Sequence, residues 1–464
     1  MIRLLSIHAR YVIAFIVLIF VARLFHITDP PIEVAHNWRQ TTSMMVARNF
    51  HQLDANILYP TIDETGENRG VVGMEFPAIP YAIHLISIPF GYGHWYGRLI
   101  VLMIVSIGSW YFFLLTRLYL KEKTAMWATT LFTASSLIHL GRKVMPDPAA
   151  LSLVIIALYY GFRYLKEGSL IRLVSYFLFA ALGTLIKIPF GLYLSLLAFP
   201  FFQSNIPAFR RGLFTAASLI VLWMVWWWYF NWNMHLAEEF GQWYNSGKKL
   251  SEGAAEITQH MGEVLERFYF SAYHSFVWGT LSIVGVGYLL FKRSRLAIAV
   301  TSVLLPLIAL YMMKSGSLFS HHGYYALILV PWLAFCGALM LEQLNKRLAA
   351  VILAAGFIES VANQQHDFFI KPAAFQKLQL ESIANEVSEP NELVGLVSNA
   401  NPNEFYFLNR KGWLVSPEQC NESYLHELSQ RGCTVLFVPS QRLPLKIPNS
   451  VLFENEHYTV FQIK

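Results

Sequence analysis

Apolar runs long enough to cross a bilayer recur along this chain to about residue 362 and then stop. A bilayer core admits only backbones that satisfy their own hydrogen bonds, and an apolar run of ~17 residues or more is long enough to cross it as a helix. Spans are placed near 11–27, 96–118, 125–141, 149–164, 171–187, 189–205, 212–230, 275–291, 296–312, 324–341 and 348–362. Composition agrees. Charged residues are 14% of the chain, against roughly 25% in a soluble domain. The 13 Trp and 23 Tyr suit rings held at a lipid–water boundary. The expected fold is therefore an all-α polytopic membrane protein of about eleven spans.

The run 76–92 is left out of that count. It carries Pro77, Pro80 and Pro89, which remove backbone donors and kink helices. It is read as a short interfacial helix, with a short bent span as the alternative. Charge decides between them. Without this run, every turn assigned to the cytoplasm is short and basic: Arg117/Lys121/Lys123, Arg163/Lys166/Arg172, Arg210/Arg211, Lys292/Arg293/Arg295 and Lys346/Arg347. Arg3 and Arg10 join them, as the positive-inside rule requires. The net charge of +6 is thus spent on topology, which argues against nucleic-acid binding. The basic start runs into an apolar stretch with no small-residue cleavage site, and reads as a retained first span.

This topology puts 28–95, 141–148, 231–274, 314–323 and the tail on the outer face. The division expected is a membrane domain, 1–362, and a small extracytoplasmic α/β domain, 363–464. In the tail, LVGLVS (393–398) and TVLFVP (434–439) read as buried strands, and ESYLHELSQRG (422–432) as an amphipathic helix ending at Gly432. Cys420 and Cys433 would pair in an oxidising compartment or remain free thiols; Cys336 stands alone.

The outer segments hold the polar groups that invite chemistry. HNWRQTTSMMVARNF (36–50) places His36, Arg39, Gln40 and Ser43 on one helical face, with Met44, Val46, Ala47 and Phe50 as apolar contacts. It is either an interfacial anchor or part of a site. Glu75 lies between Met74 and Phe76, where partial desolvation would favour a usable base. In GRKVMPDPAA (141–150), Arg142, Lys143 and Asp147 stand where two spans meet; Asp147 would cap the next helix, with Pro148 at its first position. Lys187 in LIKIPF snorkels or meets an anion. KSGSLFSHHGYY adds Lys314, His321, His322, Tyr324 and Tyr325; a divalent metal on the two histidines is only weakly signalled. Cations and the carboxylates Glu33, Glu75 and Asp147 thus gather at the outer boundary, while mid-span charge is nearly absent. Such a pattern suits a substrate with an anionic head and an apolar tail. Cations hold a phosphate, and a carboxylate deprotonates an acceptor hydroxyl.

HNWRQTTSMMVARNF, MEFPAIPY, the MPD of 145–147, LIKIPF, HHGYY and FLNRKGW (407–413), in this order, resemble the C-type (GT-C) integral membrane glycosyltransferases. The bacterial branch related to protein O-mannosyltransferases and the lipid A aminoarabinose transferase is most similar. The resemblance implies a multispan helical core with interfacial helices in the first outer loop. It implies a polyprenyl-phosphate sugar donor, a lipid, glycan or protein acceptor, and inversion at the anomeric carbon. It further implies a catalytic carboxylate from the first outer loop, Asp147 facing the same cavity, and Lys187 on the donor phosphate. The location implied is a bacterial inner membrane, with site and C-terminus facing the periplasm. Relatives with the Trp-Arg-Gln motif usually carry an aspartate two residues after the Gln; Thr42 stands there in this chain. Glu75 is then the expected base and Glu33, one turn before His36 if the helix extends back, the reserve. His36, Arg39, Gln40, Arg142, Lys143, Lys187, His322 and Tyr325 are the expected substrate contacts. A lipid-linked-sugar flippase and a non-catalytic assembly partner are the alternatives; a flippase would show inverted repeats or mid-membrane polar groups.

Overall fold

The computed structural model describes residues 6–33, 35–203, 205–241, 247–398, 401–440 and 450–463. Helices dominate, and a five-stranded sheet lies after residue 392. The chain forms two compact units. A helical unit takes in Met1–Ile27, Arg98–Asn231 and Asn245–Phe368; a mixed unit takes in Thr28–Gly97, Trp232–Tyr244 and Phe369–Lys464. These units group residues by contact. The expected division at 362/363 concerns membrane residence instead, and it stays a proposal.

Among the described residues, six helices are long and apolar enough to cross a membrane: Tyr96–Thr116, Pro146–Glu167, Ala208–Glu239, Arg295–Ser315, Gly323–Gln343 and Lys346–Val387. Met261–Ser271 and Phe276–Phe291, bent by 101° at their junction, make a seventh if counted together. Other expected spans fall on shorter helices: Ile7–Arg23, Glu122–Thr133, Leu170–Ile186 and Ile188–Phe201. The 125–141 run breaks at Ser135 and Ser136. There the Ser135 hydroxyl accepts from Leu137 N (3.2 Å) and donates to Phe132 O (2.7 Å), competing with helical bonding.

Pro146–Glu167 is the centre of the helical unit: 83% of its most apolar window is buried, against 22% for Arg295–Ser315. Leu170–Ile186 packs back along it. A Cβ on Gly183 would come within 3.0 Å of Val154 N and 3.1 Å of Ala150 O, so only glycine lets these backbones close. Lys187 lies four residues, about 6 Å, beyond that contact and so returns to the level of Asp147. At the other end, Arg210 Nη1 donates to Leu165 O and Lys166 O, both at 2.9 Å, satisfying the last carbonyls of the central helix.

In the mixed unit the strand order is β2-β1-β3-β5-β4. β1 (Leu393–Val397) pairs in parallel with β2 (Lys411–Val415) and β3 (Cys433–Pro439). β5 (Tyr458–Gln462) runs antiparallel to β3 and to β4 (Val451–Glu454). Both strands read from sequence are present. The helix Glu422–Gln430 is capped by the Asn421 side chain, which accepts from Tyr424 N, and it buries Leu425 and Leu428 against the sheet. All three cysteines are free; Cys433 is buried and Cys420 half-buried.

The first predicted outer loop folds onto this sheet. Gly66 N donates to Gly412 O (2.7 Å) and Gly412 N to Asp63 O (3.0 Å). A Cβ on Gly412 would fall 1.7 Å from Val394 O, which explains the glycine of FLNRKGW. Ala78–Phe90, from the proline-rich run, has 13 residues, about 20 Å, too short for a ~30 Å core. It leaves Leu85, Ile88 and Phe90 exposed, as an interfacial helix would.

Glu64 in this loop has both carboxyl oxygens buried. Burial, then the neighbouring Asp63 charge, pushes its carboxyl up to about 8. The folded chain therefore holds a proton that the unfolded chain releases near pH 4.3. Stability from this residue falls as pH rises from ~4.3 to ~8, because the folded state binds more protons there. Glu64→Gln is expected to flatten that decline and to stabilise the protein at pH 8.5 by a few kcal/mol. Thermal melts of both proteins between pH 5 and 9 test this; parallel curves refute it.

Candidate functional site

In the helical unit, charged side chains collect at the N-terminal end of the central helix. Met145 precedes that helix with extended backbone and Pro146 takes a first-turn position, so Asp147 is a first-turn residue and not the cap expected. A carboxylate there is favoured by the helix dipole. Asp147 is buried and within electrostatic reach of Tyr311. The Tyr311 ring stacks on Tyr325 (5.8 Å between centroids, 9°), and exposed His322 stacks on Tyr325 in turn (6.1 Å, 23°). Lys187, half-buried with extended backbone, ends the neighbouring helix at the same level. Lys314 is turned to Lys248, donating to its carbonyl at 2.8 Å.

The loop before Asp147 is buried too. The Arg142 guanidinium lies over the Phe368 ring at 4.5 Å. Lys143, fully buried, places Nζ 3.6 Å from Asp367 Oδ1. His139 Nε2 is 3.5 Å from Asp367 Oδ2, while its Nδ1 meets Gln364 Oε1 at 2.7 Å. Gln364 is itself fixed by donation to Ser360 Oγ (2.8 Å) and Ser135 O (3.2 Å). Arg23, buried at the end of the first helix, donates to Thr133 O (2.8 Å) within electrostatic reach of Arg142. Arg23, Arg142, Lys143, Asp147 and Asp367 are thus charged groups buried in one unit. Buried charges are costly unless opposite charges meet them. Arg23 and Asp367 were not expected. Arg23 did carry a signal, a cation inside the 11–27 apolar run.

In the mixed unit the helix Asn37–Gln52 buries Gln40 to Phe50 apart from Ser43. It starts later than expected. His36 adopts left-handed backbone (φ 62°), which a histidine rarely holds, and the helix begins after it. Glu33, buried, is therefore not one helical turn before His36. Glu75 is paired with Arg39: Nη2 to Oε1 is 2.6 Å, with both side chains about nine-tenths buried. The guanidinium supplies the counter-charge that desolvation alone would have denied. Gln40, next to Arg39 in sequence, is fully buried, and the Thr42 hydroxyl donates back to Trp38 O (3.0 Å).

The same helix presents a second polar cluster that was not anticipated. Arg48 donates to Asp63 Oδ2 and to Tyr406 O, both at 2.7 Å, and Asn49 Nδ2 donates to Asp63 Oδ1 at 2.8 Å. The Tyr406 hydroxyl meets Tyr92 Oη at 2.8 Å and His94 Nδ1 at 2.7 Å. Among the described residues, no three His, Cys, Asp or Glu side chains converge as metal ligands. His321 stacks on His260 at 4.9 Å.

Residues 75–230 match the family model described as dolichyl-phosphate-mannose-protein mannosyltransferase. No curated protein matches in sequence. Among solved structures, ArnT from Cupriavidus metallidurans bound to undecaprenyl phosphate superposes with a TM-score of 0.63 at 12% identity, over 97% of each chain. The oligosaccharyltransferase AglB from Archaeoglobus fulgidus, in complex with an inhibitory peptide and a dolichol-phosphate, gives 0.53 at 13% identity, over 93% of this chain and 69% of that one. The mycobacterial arabinofuranosyltransferase AftD gives 0.51 at 11% identity, over 97% and 41%. The chain has the fold of these integral membrane proteins, and it resembles the GT-C glycosyltransferases in fold as it does in motifs.

Proposed function

We propose that this protein is a membrane glycosyltransferase that moves a sugar from a polyprenyl-phosphate donor to a lipid, glycan or protein acceptor, with inversion. The reaction takes place at the outer, periplasmic face of a bacterial inner membrane. The observation that carries the reading is the set of buried charged side chains, Arg142, Lys143 and Asp147, in a unit otherwise built of apolar helices. A lipid phosphate is an anion with an apolar tail, and it answers both features. The fold shared with an undecaprenyl-phosphate-bound ArnT supports the same donor class.

The chemistry is a displacement at the anomeric carbon. A carboxylate takes the proton of the acceptor hydroxyl as its oxygen forms the new bond, and the lipid phosphate leaves as an anion. The leaving group needs charge stabilisation and no proton. Arg142 and Lys187 are assigned to the phosphate in the helical unit, with Lys143 setting the local potential from its pairing with Asp367. Tyr325 and His322 are assigned to the donor beside Asp147. In the mixed unit Glu75 is assigned as base, held by Arg39, with His36, Gln40 and Glu33 on the substrate side. Eleven crossings with the C-terminus outside complete the proposal.

Transfer of labelled sugar from a polyprenyl phosphate to extractable acceptor in proteoliposomes tests this. Donor movement across the bilayer without transfer would replace the reading by a flippase, and binding without either by an assembly partner. Lys187→Ala is expected to raise the donor KM about tenfold, the loss of one charge-assisted contact of ~1.5 kcal/mol, with kcat little changed. An unchanged donor KM removes Lys187 from the phosphate site.

A further inference from the structure

We propose that the helical unit holds the acyl chain of an anionic phospholipid in a second lipid site, at the end remote from Asp147. A cavity of about 400 Å³ lies there, within the usual size range of ligand cavities. Phe112, Leu158, Phe162, Leu304, Trp332 and Phe335 form much of its wall. Phe162 lies fifteen residues (162 − 147) along the central helix from Asp147, about 22 Å away. The cavity is therefore distinct from the charged cluster in which the donor phosphate was placed.

Its chemistry selects the occupant. The walls are almost wholly apolar, so a water-soluble ligand would leave its polar groups unsatisfied. A hydrocarbon chain loses nothing there and gains contact on every side. At one end stand Gln203 and Arg295, both exposed. Arg295 opens its helix and makes no ion pair or hydrogen bond among the described residues. Lys292 and Arg293, also exposed, precede it by three and two residues. An apolar chamber ending at a cationic rim matches one fatty chain joined to an anionic head. The head would lie in the leaflet to which the basic turns are assigned, where anionic lipids raise local attraction to each Lys or Arg.

Native mass spectrometry of the purified full-length protein in detergent, with phosphatidylglycerol, phosphatidylcholine or a polyprenyl phosphate added, tests the site. Phosphatidylglycerol is expected to bind one per chain, about fivefold tighter than phosphatidylcholine. Arg295→Gln, a surface change that leaves packing intact, should abolish that preference. Ala299→Phe, which fills the chamber, should remove both phospholipids while the protein stays monodisperse with an unchanged melting temperature. Equal binding of the two phospholipids by the native protein would overturn the proposal, as would undiminished binding to a folded Ala299→Phe variant. Displacement of phosphatidylglycerol by the polyprenyl phosphate would overturn it too, by giving the cavity to the donor. None of these readouts depends on sugar transfer, so their failure leaves the proposed activity standing.

Discussion

Glu75→Gln is expected to lower kcat for sugar transfer by roughly 10²–10⁴-fold, the range spanned by general-base catalysis. The amide keeps the shape of the carboxylate and cannot accept the acceptor's proton. It also removes a charged partner of Arg39, 2.6 Å away in a site largely closed to water. Loss of this ion pair costs stability as well. The two effects are separable: loss of the base lowers kcat at every donor concentration, whereas unfolding lowers the active fraction and is seen in a melt. Arg39→Lys keeps a cation and loses the fork geometry, so it should retain more activity than Glu75→Gln. Asp147→Asn is expected to lower transfer to a comparable degree through loss of its charge beside Tyr311. Glu33→Gln is expected to have the smallest effect of the three, since the helix that would have brought Glu33 toward His36 does not extend back. Full activity in both Glu75→Gln and Asp147→Asn would remove the carboxylates from the mechanism.

How much of this was legible in sequence depends on the range of the physics involved. Spanning length and basic turns are local properties, so the apolar helices and the sheet strands at 393–397 and 433–439 could be read directly. The break of the 125–141 run was not, because the Ser135 hydroxyl changes a hydrogen-bond pattern without changing mean hydropathy. The helix Asn37–Gln52 defeats a composition argument altogether. Its polar sequence suggests a wet face, yet its burial is set by Asp63 and by Tyr406, 358 residues away from Arg48. Arg142, Lys143 and Asp147 were found because proline-bracketed charge between two apolar runs is rare. Asp367 was not, since a carboxylate just past the last span looks like ordinary solvated sequence. Only its approach to Lys143 and His139 gives it a part in the charged cluster.

Arg48→Met is expected to destabilise the mixed unit by about 3–5 kcal/mol, the cost of leaving a buried carboxylate without its cation. Arg48 and Asp63 are each more than nine-tenths buried, and their contact is 2.7 Å. Burial works most strongly against the Arg48 charge; Asp63, Tyr406 and Tyr92 together outweigh it, leaving the guanidinium held more firmly protonated than a free one. Removing it strands Asp63 with Asn49 Nδ2 as its remaining side-chain donor and deprives the Tyr406 carbonyl of its bond. The loss reaches both segments that Arg48 ties together, the first loop and the Asn403–Leu408 helix. Asp63→Asn alone should cost a similar amount, because it leaves the guanidinium uncompensated. The double variant Arg48→Met/Asp63→Asn should then cost less than the sum of the two, since neither charge is left to be buried alone. Denaturant melts of the three variants measure the coupling. Strict additivity would mean that the pair contributes through separate contacts, and that the network does not hold the loop to the tail as one piece.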